Sequence, residues 1–306
     1  MSEILVTGGH GFVGTYLRQT LSDRPVRILA RNRSPAQPNE TWTEMDLARP
    51  VTLSGSSGST LCHLAYARAD AERNIDYNLH LLDAVNSCQQ IHHVLLMSSA
   101  SVYGSHATGT LDEVTPCGPR DEYSRTKLAC ETVWTKHLRI SCGLTVLRPT
   151  EIIGPGGMGL VFLVRDALQR PVVGIFKRSL HQHRSVHFVA VRNVVAAVKF
   201  LLDRQVPTGR ETYVVSDDHQ PENRSYAEMQ DTVRRVSGKS PLPSIPAPRW
   251  VVRAVGTMTN RPLTIRRTFS SDALHAAGFH DAVPLRDEVQ RTVQALLAGA
   301  ILAHMA

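Results

Sequence analysis

The sequence predicts a doubly wound α/β fold: a parallel sheet covered by helices on both faces, with a smaller lobe interleaved toward the C-terminus. Three observations predict it. Short apolar runs alternate with helical patterns through the first half of the chain. A glycine-rich turn joins the first run to the first helical pattern. After Gly154 the alternation loosens. Strand–helix–strand repetition implies right-handed crossovers, which lay successive strands parallel.

The elements follow in order. Ile4-Leu5-Val6 is a short apolar run ending in glycines, as a strand buried on both faces does. Phe12 to Leu21 has helical spacing. Val26 to Ala30 reads as the second strand, and a third precedes Met45-Asp46-Leu47. Leu61 to Ala65 and His93 to Met97 are two more. Between them lies a helix of the pattern Asn74, Leu81, Leu82, Val85. Leu144 to Leu147 is a further strand. Ser54-Gly55-Ser56-Ser57-Gly58-Ser59 is a flexible loop within the domain, because strand patterns resume at once. Pro241 to Pro248 holds four prolines and reads as a surface connection. The expected division is a first lobe over 1–153, to which a segment near 186–203 returns, and a smaller lobe drawn mainly from 154–306.

Composition bounds the function. With 306 residues, 42% hydrophobic and 20% charged, the chain is globular and long enough for a sizeable core. No apolar run reaches bilayer length, and Met1-Ser2-Glu3-Ile4 carries no basic region before an apolar stretch, so a soluble cytoplasmic protein is expected. The five cysteines (Cys62, Cys88, Cys117, Cys130, Cys142) form no CxxC pair, which argues against a disulfide framework and a metal site. The formal charge of +7 is spread along the chain without a basic arm. A phosphorylated small-molecule substrate accounts for it, and neither nucleic acid nor membrane is expected as a partner. A homodimer is left open.

Thr7-Gly8-Gly9-His10-Gly11-Phe12-Val13-Gly14 follows the first strand and opens the first helix, with Gly8, Gly11 and Gly14 spaced GxxGxxG. Glycines allow a tight turn and close approach of backbone N–H groups to a pyrophosphate, and the helix N-terminus adds partial positive charge. In this setting the turn reads as a Rossmann dinucleotide-binding loop, with Phe12 and Val13 also at the cofactor; an ordinary glycine-rich turn is the alternative. The second strand ends Ala30-Arg31-Asn32-Arg33, with no carboxylate to grip a ribose 2′-hydroxyl. Arg31 and Arg33 can pair a 2′-phosphate, which favours NADP(H) over NAD(H), unless both are solvated loop arginines. Asp46, next to Leu47, is placed to accept from an adenine amino group or simply to cap a turn.

Tyr123-Ser124-Arg125-Thr126-Lys127 puts Tyr and Lys four apart on one helix face. A tyrosine with a free pKa of about 10 is a poor base at neutral pH. A neighbouring ammonium and a cationic cofactor favour its phenolate. Met97-Ser98-Ser99-Ala100-Ser101-Val102-Tyr103-Gly104 lies at a strand end, where a serine can hydrogen-bond the substrate oxygen that Tyr123 protonates.

These segments, with His63-Leu64-Ala65, Asn74 to Ala84 and Leu147-Arg148-Pro149, resemble the extended short-chain dehydrogenase/reductases, also called the NAD-dependent epimerase/dehydratase family. The resemblance implies Tyr123 as acid/base and Lys127 as the residue that holds the nicotinamide ribose and tunes Tyr123. Ser99, the second serine of the SSxxVYG pattern, polarises the substrate, with Ser101 nearby. Asn74 matches the asparagine of the NxxGT segment and supports the helix and a proton relay, or is a structural amide. Leu64, Ala65, Pro149 and Thr150 border the cofactor, and His63 is structural.

Relatives with SSxxVYG mostly handle sugar nucleotides, and two departures bear on that. Thr150 and Glu151 stand where the family has an aromatic and an asparagine, and a carboxylate beside a diphosphate is unfavourable without a cation. Val186 stands where the diphosphate-binding arginine of RDxxHVxDxA belongs. Arg184, two residues earlier, can substitute for it or be solvated in the turn His181-Gln182-His183-Arg184. The dehydratases' Asp-Glu pair does not follow Ser99 directly. Three readings result: an NAD(P)-dependent ketoreductase on a sugar nucleotide, an NAD-retaining nucleotide-sugar 4-epimerase, and a non-catalytic dinucleotide-binding regulatory subunit. Intact Ser99, Tyr123 and Lys127 speak against the third, and Ala30-Arg31 favours the first.

Overall fold

The computed structural model describes residues 2–33, 37–104, 106, 108–181, 184–204, 209–223, 225–258 and 266–299. The first lobe opens with β1 (Ile4–Thr7), α1 (Phe12–Thr20), β2 (Val26–Ala30), β3 (Glu40–Glu44), β4 (Ser59–His63), α2 (Arg73–Ser87) and β5 (Ile91–Met97). A 3₁₀ turn at Ala100–Tyr103, β6 (Thr108–Leu111), α3 (Glu122–His137) and β7 (Gly143–Pro149) follow. The remainder is β8 (Glu151–Ile153), α4 (Val161–Leu168), α5 (Pro171–His181), β9 (Phe188–Ala190), α6 (Val191–Asp203), β10 (Arg210–Val215), α7 (Tyr226–Val236), α8 (Arg249–Met258), β11 (Arg266–Phe269), α9 (Asp272–Ala276) and α10 (Leu285–Leu297).

Seven parallel strands form the main sheet in the order β3-β2-β1-β4-β5-β7-β10. The chain works outward from β1 in one direction and then from β4 in the other. That reversal leaves a crevice at the C-terminal ends of β1 and β4, where open sheets bind ligands. Alternation along β1 shows why the sheet is covered twice. Ile4 and Val6 pack with Leu17, Leu21, Val194 and Val198 of α1 and α6. Leu5 packs on the other face with Leu81, Val85 and Trp134 of α2 and α3.

The expected strands are present with small changes at their ends. One correction concerns the lobes. Only 186–203 was expected to return to the first lobe, yet β10 also joins the main sheet, pairing Arg210–Val215 with Leu144–Pro149. The half-polar sequence Arg-Glu-Thr-Tyr-Val-Val hides that edge strand, which needs apolar cover only toward its end, where Tyr213, Val214 and Val215 are buried.

The smaller lobe has its own core, in which Ile153 and Val164 meet Met229, Val233, Val289 and Val293. Two short parallel pairs, β8 with β9 and β6 with β11, tie it to the sheet. The lobes also touch at the glycine loop. Tyr16 donates to the Pro155 carbonyl at 2.9 Å, and a Cβ on Gly157 would lie 2.6 Å from the Phe12 ring. At this close approach Phe12 lines the cavity.

Candidate active site

A single cavity of about 1690 Å³ runs from the glycine loop across the ends of β1, β4, β5 and β7 into the smaller lobe. Its first wall is the turn after β1. Gly8 has φ +72°, and a Cβ there would lie 2.6 Å from the Ala65 nitrogen. A Cβ on Gly14 would lie 2.2 Å from the Gly8 carbonyl oxygen. Neither position admits another residue without displacing backbone. The Gly11 N–H donates to Gly8 O at 3.0 Å, and Gly11 caps α1, so the helix N-terminus faces the cavity.

Beneath this turn, His63 is buried and neutral. Burial pushes its pKa down to about 3, with the Lys127 charge adding to the effect. The Asn78 side chain donates to Asn74 O at 2.7 Å, so its oxygen accepts from Trp134 Nε1 at 2.6 Å and from His63 Nε2 at 3.1 Å. His63 Nδ1 is then left to accept from the Thr7 hydroxyl at 2.6 Å. The expectation of a structural His63 has this network as its physical basis.

The adenosine end divides the expected residues. Arg31 lines the cavity, whereas Arg33 does not, because the chain turns away past the end of β2. Both arginines are exposed at the end of β2. Asp46 and Leu47 line the cavity. The Asp46 carboxylate accepts the Ala48 N–H at 3.1 Å, which leaves its second oxygen for a ligand.

The reacting end is built by α3. The Asp121 side chain accepts the Ser124 N–H at 2.8 Å, while the Asp121 N–H donates to Ser124 Oγ at 3.2 Å. This reciprocal cap starts the helix at Glu122 and puts Tyr123 in its first turn, with Lys127 one turn later. Ser99 caps the 3₁₀ turn after β5, accepting the Ser101 N–H at 3.2 Å, and its hydroxyl lies near enough to Tyr123 to favour the phenolate. Ser99, Ser101, Tyr123 and Lys127 all line the cavity.

The charge balance differs from expectation. Burial raises the Tyr123 pKa, and the nearby Ser99 hydroxyl and the charge of Arg68 only partly oppose it. Lys127 does not neighbour the phenol closely enough to reverse this. Its Nζ is 6.0 Å from the Tyr123 ring centroid, donates to Met97 O at 3.0 Å, and sits 4.4 Å over the Tyr66 ring. Burial lowers the lysine's own pKa to about 8.

Asn74 is a correction. Its side chain does not line the cavity. The amide nitrogen donates to the carbonyls of Ala67, Asp70 and Ala71, and the oxygen accepts the Ala67 N–H at 2.8 Å. It positions the 67–71 loop and touches neither Tyr123 nor Lys127.

Beyond Thr150 the cavity becomes cationic. Pro149, Thr150, Glu151 and Arg184 line it together with Arg68 and Arg267. Burial raises the Glu151 pKa, opposed by Arg184 and Arg68. Burial lowers the Arg267 pKa, and the charges of Arg184 and Arg120 lower it further. Arg184 therefore faces the cavity, where the turn reading would have left it solvated; Gln182 and His183 lie outside the described residues.

Sequence reasoning missed Tyr66, Arg68 and Arg267. The first two directly follow His63-Leu64-Ala65, so proximity to that segment was their available signal. Arg267 had none, since β11 was not read as a strand. Outside the cavity, the fold also brings together His219, His275 and Asp281, in a geometry that could hold a metal ion. Their side chains are already joined, with His219 Nε2 2.8 Å from Asp281 Oδ2.

A nicotinamide dinucleotide fits these residues. The glycine cradle leaves room only for a ligand's phosphates, and the Thr150 hydroxyl, on the cavity wall, is a buried polar atom with no partner among the described residues. The sequence matches the profile of the NAD dependent epimerase/dehydratase family over residues 4–216. It is 29% identical over 177 residues to GDP-6-deoxy-D-talose 4-dehydrogenase of Aggregatibacter actinomycetemcomitans, covering 53% of this chain and 56% of that protein. The chain thus matches about half the length of its curated relatives, 56% and 47% for two of them. The fold is similar to UDP-glucuronic acid 4-epimerase from Bacillus cereus in complex with NAD (TM-score 0.70, 17% identity, 97% of this chain and 99% of that one). It is similar too to RMD from Pseudomonas aeruginosa complexed with NADPH (TM-score 0.67, 20% identity, 97% and 100%).

Proposed function

The chain belongs to the NAD-dependent epimerase/dehydratase family, and from that premise we propose that it is a nicotinamide-dependent ketoreductase acting on a secondary alcohol or ketone carbon of a sugar nucleotide. The observation that carries this reading is the meeting of Ser99, Tyr123 and Lys127 on the cavity that begins at the glycine loop. A nicotinamide dinucleotide held on that loop supplies the hydride when bound. The chain's own residues do the rest. Ser99 donates a hydrogen bond to the substrate carbonyl oxygen, and Tyr123 gives that oxygen its proton as negative charge develops there. Burial keeps the phenol protonated at neutral pH, which suits a proton donor and hence reduction. The Lys127 ammonium, one turn along α3, offsets the charge of the phenolate left behind.

Gly8, Gly11 and Gly14 would hold the pyrophosphate, and Arg31 the 2′-phosphate of NADP(H). Arg184 and Arg267 would hold the substrate diphosphate and supply the cations that Glu151 requires beside it. The first lobe, 1–153 with 186–203 and β10, binds the cofactor, and the rest of 154–306 encloses the substrate. The curated relative acts on a GDP-sugar, which supports a sugar nucleotide here. The 4-epimerase reading draws on one observation: Arg31 is exposed, so its pairing with a 2′-phosphate would be screened by solvent.

The test is to mix the protein with GDP-, UDP- and dTDP-linked 4-keto-6-deoxy sugars and follow NADPH absorbance. Consumption of NADPH with at least one of them is expected. Interconversion of 4-epimers without net cofactor consumption, on NAD carried through purification, would replace the reductase with the epimerase.

A further inference from the structure

Away from the cavity, two turns bring three metal-ligating side chains together. His219 comes from the turn after β10, and His275 and Asp281 come from either side of the end of α9. None of the three lines the cavity, and the proposed reaction does not use them. Gly278 shapes the second turn. Its φ of +103° ends α9 in a left-handed residue. The Phe279 N–H donates to Leu274 O at 3.2 Å and the Gly278 N–H to His275 O at 2.9 Å, so the chain doubles back and carries Asp281 to His275. Phe279 is buried and stacks on the His275 ring, which holds that imidazole in place. The first turn is closed by the Gln220 N–H donating to Asp217 O at 2.9 Å.

One nitrogen from each imidazole and a carboxylate oxygen lie within 4.8 Å of one another. His219 Nε2 is 2.8 Å from Asp281 Oδ2, and His275 Nε2 is 3.5 Å from Asp281 Oδ1. A tetrahedral ion with bonds of about 2.0–2.1 Å sets its ligand atoms about 3.3 Å apart. The His275 separation is near that figure and long for a hydrogen bond. The carboxylate is also held from behind. Gln220 Nε2 donates to Asp281 Oδ2 at 3.1 Å, while Gln220 Oε1 accepts the Leu285 N–H at 2.6 Å. An amide fixed in this way is the outer support that orients a metal ligand.

We propose that His219, His275 and Asp281 form a binding site for a divalent transition-metal ion, zinc above all, with water completing its coordination. Two imidazoles and a carboxylate suit zinc, whereas calcium and magnesium take oxygen ligands. The His219 side chain is 48% exposed, so the ion enters from solvent and the ring has room to turn onto it. A bound ion would clasp the turn after β10 to the end of α9. That turn supports the substrate end of the cavity. Asp218 accepts the Phe269 N–H at 2.8 Å, and His187 Nδ1 lies 2.7 Å from the same carboxylate. Phe269 and His187 both line the cavity. The ion therefore steadies a wall without touching the reacting atoms. This site revises the expectation of no metal, which rested on the cysteines alone; His219 and His275 lie too far apart in sequence to form a spacing motif. It does not depend on the catalytic reading.

The experiment is calorimetric titration of the untagged full chain, stripped with EDTA, with Zn²⁺, and with Ca²⁺ and Mg²⁺ as controls. Binding of one Zn²⁺ per chain with a Kd below about 10 µM is expected, and at least about a hundredfold weaker binding of Ca²⁺ and Mg²⁺. His219→Ala and His275→Gln should each weaken zinc binding by about fivefold or more, with the circular dichroism spectrum and cofactor affinity unchanged. Thermal unfolding gives a second reading: saturating Zn²⁺ should raise the Tm of the wild type and of neither variant. Co²⁺ gives a third that needs no variant, since its visible absorption on the wild-type chain reports nitrogen ligation and four-coordination. Weaker zinc binding, a smaller effect of either substitution, or a Co²⁺ spectrum like that of the hydrated ion overturns the proposal. So does comparable affinity for Ca²⁺ or Mg²⁺.

Discussion

The two ends of the cavity present charge by different means. At the cofactor end, one eight-residue turn supplies backbone N–H groups and a helix terminus, and the glycines fit so closely that a single added carbon meets backbone. At the substrate end, Glu151, Arg184 and Arg267 come from β8, the approach to β9 and β11, and act through side chains alone. A contiguous turn suits a ligand part that never varies, here a pyrophosphate. Dispersed side chains suit a part that differs between relatives. Between the two ends lie Tyr123 and Ser99, to which the proposed reaction gives the proton transfer common to such substrates.

That contrast breaks hardest at Tyr123. Tyr123→Phe keeps the ring against Tyr66, whose centroid is 5.1 Å away, but removes the proton donor. Turnover should fall by about 10²–10⁴-fold while cofactor affinity stays within a factor of about two. Single-turnover kinetics beside a cofactor titration would check it, and near wild-type kcat would remove Tyr123 from the chemistry.

Gly14→Ala tests the contiguous end. Its Cβ would lie 2.2 Å from Gly8 O and 2.7 Å from the Gly9 Cα, so the turn must open. Overpacking of this kind costs about 1–3 kcal/mol, or about 5–150-fold in cofactor affinity. Arg267→Ala should instead raise KM for the sugar nucleotide and leave cofactor affinity alone. If both variants lose cofactor affinity equally, the two ends are one cooperative unit.

The same contrast decided what the sequence revealed. The glycine loop, the strands on either side of it and the Tyr123–Lys127 spacing are local patterns, written in adjacent residues. Asn74 matched a pattern too, but a pattern names a residue type and not its partners; its four hydrogen bonds to the 67–71 loop appear only in the fold. The raised Tyr123 pKa was hidden for a similar reason. Spacing on a helix put Lys127 nearby, but the Met97 carbonyl and the Tyr66 ring, both remote in sequence, decide where its ammonium sits. Arg267 joins the substrate end through a strand pairing, β11 with β6, that spans more than a hundred residues.

A subtler test concerns the support beneath the cofactor turn. His63 has a native pKa of about 3, against about 6.5 when unfolded. Between those values the unfolded chain holds a proton that the native state does not, so stability falls as pH falls. From pH 6.5 to 5 the His63 contribution lost is about 2 kcal/mol. Asp217 works in the opposite sense. Burial lifts its carboxyl to about 7, so the native state keeps a proton that the unfolded chain loses, and this contribution grows as pH falls below 7. Urea unfolding of the wild type and His63→Gln at both pH values separates them: the variant should show the smaller loss on acidification. Equal losses would mean that His63 is not buried neutral.

The smallest expected effect is the most diagnostic for the cofactor. Strand β2 ends in Ala30, which offers no carboxylate to repel a 2′-phosphate, and Arg31 lines the cavity at that point while Arg33 does not. Arg31 is therefore expected to contribute more than Arg33. A charge-assisted hydrogen bond is worth about 1.5–3 kcal/mol before desolvation. Arg31 is exposed, so solvent screens the pair and the lower end applies. The expected preference for NADPH over NADH is then about tenfold, since 1.4 kcal/mol is about tenfold in affinity. Arg31→Ala should abolish that preference with little change in NADH affinity, whereas Arg33→Ala should leave it intact. Calorimetric titration of both cofactors into the three proteins reads the result directly. Equal wild-type affinities would leave the cofactor end selective for the pyrophosphate alone and would shift the balance to the NAD-retaining epimerase.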